Sequence, residues 1–227
     1  MRKLLAVICS LFAALFTIKA QTPQTYISLV MNRFDKVKDY AADIKINFNL
    51  PGVNLTPVAG SVFYKAPDKF RVKTKGVVFL PKQSPHFALS LLRDSTAYTA
   101  VSSGSEIIAG VPCIIVNVIP NAETDLILGK LWIDPSRGLI LKSQLTTRSG
   151  GTVLIDNYFG PLWTHALPDR IVFTVDMARF KVPKALAVDI NTRTSKPQST
   201  PGTGTIELQF SNYRMNQHLS DKVFTEE

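Results

Sequence analysis

The sequence predicts a mainly β, α+β fold in which about ten or eleven antiparallel strands form a curved sheet with helices over its concave face. Three observations support this prediction. Apolar and polar residues alternate from Tyr40 to Phe48. The hairpin GSVFYKAPDKFRVKTKG (residues 60–76) has one apolar side and one basic side. A segment near the N-terminus has the helical period, and its apolar stripe needs a surface on which to be buried.

Two predicted helices would cover the sheet. Thr22-Pro23 is a typical helix start, with a capping hydroxyl followed by proline in the first turn. A helix over residues 23–38 then places its apolar residues on one face: Tyr26, Ile27, Val30, Phe34 and Val37. A second, short helical turn follows Ser84-Pro85 and carries the apolar residues Phe87, Leu91 and Leu92.

The remainder of the chain predicts strands separated by turn residues. The expected strands are residues 40–48, 58–65, 69–75, 77–80, 98–101, 107–119, 128–133, 139–147, 153–159, 171–178 and 205–213. No internal repeat or linker divides them, so we expect one domain over residues 21–227.

Residues 1–20 have the pattern of a secretory signal peptide. Arg2 and Lys3 precede an apolar stretch from Leu4 to Phe16 that is short for a stable membrane anchor. We therefore expect export and cleavage near Ala20, with a retained N-terminal anchor helix as the alternative. The exported chain would keep one cysteine, Cys113, and so could form no internal disulfide.

Residues that could perform catalysis or bind a metal are sparse. The three histidines, His86, His165 and His218, have no second ligand at metal spacing. Neither a nucleophile elbow nor a glycine-rich phosphate loop is found. Asp134 and Asp156 could approach each other, but Asp134 before Pro135 is better explained as a turn residue. The sequence therefore predicts no catalytic residue, no metal and no cofactor, and hence no enzyme.

The net charge of +9 is spread through strands and turns. Because the basic residues are not gathered on one recognition helix, the pattern argues against nucleic acid. Simple solubility, or attraction to anionic lipid headgroups, explains the charge better.

The remaining signal is an excess of large apolar residues on the inward faces of the predicted strands. These residues are Val62, Tyr64, Phe70, Val72, Leu131, Ile133, Leu141, Leu145, Ile171, Phe173 and Val175. They could form a sealed core or the wall of a dry cavity, and periodicity alone does not separate the two.

Five stretches, taken in order, resemble the LolA-like family of outer-membrane lipoprotein carriers and lipoprotein-sorting proteins. They are GSVFYKAPDKFRV, AGVPCIIVNVIPNA, LWIDPSRGLILKSQL, TVLIDNYFG followed by LPDRIVF, and IELQFSNYRMNQHLSDKVF. The resemblance extends over residues 24–225. It implies an open, unclosed antiparallel β-barrel with helices over its concave face, and a hydrophobic cavity for the acyl chains of lipoproteins or lipids.

The resemblance also implies roles, a location and partners. The inward residues given above would be the lipid-binding wall. The lid would be formed by Ile27, Val30, Phe34, Phe87, Leu91 and Leu92. The protein would be a periplasmic monomer that takes its cargo from a releasing transporter at the inner membrane and delivers it to an outer-membrane receptor.

One position departs from the family pattern. Well-studied carriers have an arginine before the hairpin proline, which holds the lid, whereas this chain has Ala66. Two other functions therefore remain open. The first is a sensor or adaptor of the same fold that recognises lipoproteins or a protein partner. The second is an unrelated envelope binding module or an enzyme.

Overall fold

The computed structural model describes residues 22–51, 55–75, 89, 91–177 and 202–225. A single antiparallel sheet is formed by β1 (Asp39–Asn49), β2 (Val58–Lys65), β3 (Lys69–Thr74), β4 (Tyr98–Ile108), β5 (Val111–Pro120), β6 (Leu126–Asp134), β7 (Leu139–Thr147), β8 (Gly151–Tyr158), β9 (Arg170–Asp176) and β10 (Thr203–Met215). The helices are α1 (Pro23–Phe34), a 3-10 helix (Pro161–His165) and α2 (Lys222–Thr225). Residues 91–93 are also helical.

The sheet is open. Its strand order is β3-β2-β1-β10-β9-β8-β7-β6-β5-β4, and every neighbouring pair is antiparallel. Within the described residues, β3 and β4 form the two edges of the sheet and do not pair with each other. The predicted fold class, an unclosed antiparallel β structure with few helices, is confirmed.

Helix α1 packs against the concave face with Ile27, Val30, Met31 and Phe34 buried. The turn between β6 and β7 approaches it closely, because a Cβ on Gly138 would lie 3.0 Å from the carbonyl oxygen of Leu29. Gly138 also has a φ of +62°, a conformation that glycine adopts without strain.

The end of α1 differs from the prediction. The helix ends at Phe34 and not at residue 38, and Val37 is fully buried in the turn that leads into β1. Asp39, expected near the helix end, is already the first residue of β1. Val37 therefore contributes to the core from a turn, where it packs with the buried residues of α1.

The predicted strand over residues 107–119 is wrong. A turn at Ala109-Gly110 divides it, and both residues have positive φ, +48° and +82°. This conformation is typical of the tight turns that join hairpin strands. As a result β4 extends to Ile108, and β5 begins at Val111.

Three predicted features lie outside the described residues: the signal peptide of residues 1–20, the strand over residues 77–80, and Phe87. Among the helices that the structure describes, none has the length and apolar character needed to cross a membrane.

The C-terminal segment (residues 217–225) packs against β1, β2 and β3. The buried carboxylate of Asp39 accepts hydrogen bonds from the backbone amides of Gln217 and Leu219, at 2.8 and 3.4 Å. Lys65 Nζ donates to the Leu219 carbonyl at 2.8 Å, and Arg71 donates to the Val223 carbonyl at 3.1 Å. Part of the basic side of the hairpin thus binds this chain's own C-terminal segment.

Asp221 is held in the same way by Lys65 and Lys69, whose Nζ atoms lie 2.6 and 2.8 Å from its carboxylate oxygens. Hydrogen bonds from these two lysines lower the pKa of Asp221 to about 2. Since the pKa in the folded protein lies below its ordinary value of 3.8, the pairs stabilise docking of the segment above about pH 4. Their contribution is lost as the pH falls toward 2.

We expect the Asp221 carboxyl carbon, followed by NMR, to titrate with a midpoint near pH 2 in the wild type. The substitution Lys65→Met should move the midpoint toward 3.8, because it removes the first of the two donors. Lys45→Met, on exposed β1 surface, is the matched control and should leave the midpoint unchanged. An unchanged midpoint in Lys65→Met would contradict the assignment.

Candidate functional site: a cavity beneath helix α1

A cavity of about 80 Å³ lies between α1 and the concave face of the sheet. Its lining is predominantly apolar and comes from α1, from seven of the strands, from the segment after β8 and from Leu89. The lining residues are Val30, Phe34, Tyr40, Ile44, Phe70, Val72, Leu89, Leu131, Ile140, Ser143, Asn157, Phe159, Ala166, Leu167, Pro168, Ile171, Phe173, Leu208, Phe210 and Tyr213.

The eleven predicted wall residues fall into three groups. Five line the cavity: Phe70, Val72, Leu131, Ile171 and Phe173. Five others are buried in the two clusters of the concave face without lining the cavity: Val62, Tyr64, Ile133, Leu145 and Val175. The concave face is therefore partly a packed core and partly a cavity wall. Contact with lipid at these residues stays a prediction.

The eleventh residue, Leu141, was assigned to the wrong face. It packs with Cys113, Ile115 and Trp132 in a cluster on the outer side of the sheet. The cause is an irregularity in the pairing of β6 with β7, where Trp132 lies opposite Lys142 but Ile133 lies opposite Ile140. This shift leaves Leu141 as an extra residue, so the alternation changes phase there and Ile140 takes the inward position.

The predicted lid residues lie mostly where expected. Val30 and Phe34 line the cavity, and Ile27 is buried beside them. Leu92 is buried, and Leu91 packs against both concave clusters. Leu89, which was not predicted, also lines the cavity.

Two groups of lining residues were not predicted from the sequence. The first lies on the pair β1 and β10, which contributes Tyr40, Ile44, Leu208, Phe210 and Tyr213. Their alternation was recognisable, but their pairing across more than 150 residues was not. The second is the segment over residues 159–168, which includes the 3-10 helix and closes one end of the cavity without any periodic signal.

Aromatic rings form a continuous row along this face. Ring centroids of Tyr64 lie 5.2 Å from Phe34 and 5.4 Å from Tyr40, and Tyr40 lies 5.4 Å from Tyr213. Burial raises the pKa of Tyr40 well above its ordinary value, and the nearby Tyr213 raises it further. Burial likewise raises the pKa of Tyr213. These hydroxyls are therefore neutral at physiological pH, so the row adds no charge to the cavity.

Arg93 connects the helical residues 91–93 to α1 and the sheet. Its Nη1 lies 2.7 Å from Asp35 Oδ1 just after α1, and its Nη2 donates to the Tyr64 hydroxyl at 3.0 Å. The guanidinium also lies 5.7 Å from the centre of the Phe34 ring. Ala66 cannot make the contacts that an arginine before Pro67 could make. Arg93, which lies before β4, instead joins the end of α1 to β2 of the sheet.

The residues considered for catalysis do not form a site in the described part of the chain. Asp134 is buried and accepts hydrogen bonds from Ser136 and Arg137. Burial alone would raise its pKa, but these hydrogen bonds outweigh burial and hold the pKa below its ordinary value. No group of three potential metal ligands comes together among the described residues. Cys113 is buried, and burial raises the pKa of its thiol.

Comparisons with known proteins agree with this architecture. The family model of the MucB/RseB N-terminal domain matches residues 61–156. No curated protein sequence matches the chain. A LolA superfamily protein from Nitrosomonas europaea is 13% identical, with a TM-score of 0.60 over 91% of this chain and 99% of that protein.

Two further solved structures are similar. A DUF1329 family protein from Desulfovibrio piger is 13% identical, with a TM-score of 0.56 over 90% of this chain and 98% of that one. A putative outer membrane lipoprotein-sorting protein domain from Vibrio parahaemolyticus is 14% identical, with a TM-score of 0.50 over 87% and 95%. The chain has the LolA-like fold, and the resemblance found in the sequence is confirmed at the level of the fold.

The contacts of Arg93 predict that it holds α1 against the sheet. In Arg93→Met we expect the amides of α1 to exchange hydrogen roughly 5–30 times faster, corresponding to a loss of about 1–2 kcal/mol for one partly exposed ion pair and one hydrogen bond. Hydrogen exchange followed by mass spectrometry measures this. Arg148→Met, in the exposed turn between β7 and β8, is the control. Equal protection of α1 in both variants would show that Arg93 does not hold the helix.

Proposed function

We propose that the protein binds the acyl chains of lipoproteins or lipids in the cavity beneath α1 and carries them between the two membranes of the envelope, in the periplasm. The observation that supports this proposal is an apolar cavity on the concave face of a LolA-like fold. The similar structure from Vibrio parahaemolyticus, a putative outer membrane lipoprotein-sorting protein domain, also supports binding of lipoproteins.

The energetics explain why such cargo needs a carrier. Each methylene group removed from water contributes about 0.8 kcal/mol, so a sixteen-carbon chain exposed to water costs roughly 12 kcal/mol. A carrier has to offset most of that cost and still release the chain. Phe70, Leu131 and Phe173 offer an apolar wall without a charged group that would bind one end of the ligand strongly.

The size of the cavity sets a condition on binding. A water-sized group needs about 10–15 Å³ of such space, so a cavity of about 80 Å³ accepts roughly five to eight of them. A sixteen-carbon chain is larger. Since Val30 and Phe34 of α1 form one wall, movement of α1 away from the sheet enlarges the space. We infer that the structure is the closed state and that loading displaces α1.

Delivery requires partners at both membranes. We propose a releasing transporter at the inner membrane and a receptor at the outer membrane, with the carrier acting as a monomer. In this function no bond is made or broken, so neither a catalytic residue nor a cofactor is required.

A second candidate function is a sensor or adaptor that recognises lipoproteins or a protein partner. The observation that favours it is the match of the MucB/RseB N-terminal domain model to residues 61–156. One fold serves several functions, so the site and not the fold has to decide between them.

The proposal predicts that a charge in the cavity wall abolishes binding of acyl chains. In Phe70→Glu an ionised carboxylate would line the cavity, and we expect at least a tenfold loss of affinity for a fluorescent fatty-acid probe. Phe63→Glu is the matched control in the same hairpin. Phe63 lies on the outer side, opposite Arg71 and near Lys73, and the substitution should leave binding unchanged.

Both variants are measured as residues 21–227, with folding verified by circular dichroism. Equal binding by folded Phe70→Glu and Phe63→Glu would refute the cavity as the binding site. Native mass spectrometry after incubation with membranes then separates the two functions. An extracted acyl chain supports the carrier, whereas a stable complex with a membrane-protein domain and no lipid supports the sensor.

A further inference from the structure

A polar position interrupts the apolar wall of the cavity. Ser143 lies on β7 and is 5% exposed. Its cross-strand neighbours, Leu131 on β6 and Ile155 on β8, are buried apolar residues. Among the described residues, the Ser143 hydroxyl neither donates nor accepts a hydrogen bond. The oxygen is not among the fully buried atoms that lack a partner, so it is reached from the cavity, where a ligand can supply the hydrogen-bond partner.

Asn157 is the second polar residue of the wall. Its Nδ2 donates to the Ile140 carbonyl at 3.0 Å, and this bond fixes the amide orientation. The Oδ1 atom is then left as an acceptor. Asn157 lies two residues beyond Ile155 on β8, so it shares the inner face with Ser143 as a diagonal neighbour, at about 7–8 Å between backbones.

The position of this polar pair within the cavity is informative. Asn157 is half-buried and precedes Phe159, which begins the segment that closes one end of the cavity. Ser143 is more deeply buried. Phe70 and Val72, the apolar part of the wall, lie on β3, which is five strands from β8 and six from β7 in the sheet order. The cavity therefore has a polar end and an apolar end.

Unlike Ser143, the tyrosines of the cavity wall have interactions within the protein. The Tyr213 hydroxyl donates to the Pro168 carbonyl at 2.8 Å. Tyr40 also has interactions within the protein, including its ring contacts with Tyr64 and Tyr213. Among the described residues that line the cavity, Ser143 thus offers a hydroxyl that remains available to a ligand.

We propose that the cavity selects acyl esters and acyl amides over plain hydrocarbons, with the Ser143 hydroxyl donating a hydrogen bond to the ligand's carbonyl oxygen. Asn157 Oδ1 accepts from the N–H group when the ligand is an amide. The chain extends from this polar end toward Phe70 and Val72. This inference rests on the proposed function, which it narrows to a chemical class of ligand.

The test compares three ligands of equal chain length: dodecane, the methyl ester of dodecanoic acid, and N-methyl dodecanamide. Each displaces a fluorescent apolar probe from residues 21–227. The wild type should bind the ester and the amide more tightly than the alkane. In Ser143→Ala this preference should fall about 3–10-fold, the range for one hydrogen bond, while alkane affinity stays constant.

Thr146→Val is the control, because it removes a hydroxyl from the same strand whose partner is the Thr152 hydroxyl. It should leave the preference unchanged. The melting temperature of Ser143→Ala should not fall, since the hydroxyl has no partner to lose. A lower melting temperature with an unchanged preference would assign Ser143 a structural role and overturn the inference.

The remaining outcomes separate the two proposals. If the wild type binds the alkane as well as the ester, and Ser143→Ala changes nothing, the selectivity is refuted while acyl binding stands. If the wild type binds none of the three ligands, both the selectivity and the carrier function are refuted.

Discussion

The fold depends on covering the apolar concave face of a wide sheet. Ten strands at their usual spacing extend about 43 Å, whereas the twelve residues of α1 extend about 18 Å. One straight helix cannot fill the curve of such a sheet. Among the described residues, further cover comes from the segment over residues 159–168 and from the helical residues 91–93. The cavity beneath α1 is a consequence of this mismatch.

The sequence predicted the faces of the sheet well where alternation is unbroken. Val62, Tyr64, Phe70 and Val72 share the inner side of their hairpin, because a strand of regular pairing keeps its period of two. Leu141 shows the limit of this reasoning, since one extra residue in β7 reverses the period and leaves no mark in composition. The pairing of β1 with β10 was not predictable either, because hydrophobic periodicity identifies strands but not their distant neighbours.

The chemistry of the site was predicted less well than its position, for a physical reason. The same apolar side chains build a packed core and a cavity wall, and what distinguishes them is the space left after packing. The structure separates Val62 and Ile133, which are packed, from Phe70 and Phe173, which border the cavity. The basic side of the hairpin also has a use that composition did not indicate. Lys65, Lys69 and Arg71 bind the C-terminal segment, so fewer of these charges are available to a lipid surface.

The position of β10 in the sheet bears on the order in which the protein can fold. β10 is the last strand in the chain, yet it lies between β1 and β9 and connects the first three strands to the other six. During synthesis from the N-terminus, the hairpin of β2 and β3 can pair with β1 early, but the sheet stays in two parts until residue 215 has been made. Such long-range pairing closes slowly. A nascent chain therefore holds two partial sheets whose edges, β1 and β9, are unpaired, and the cavity is complete only after β10 joins them.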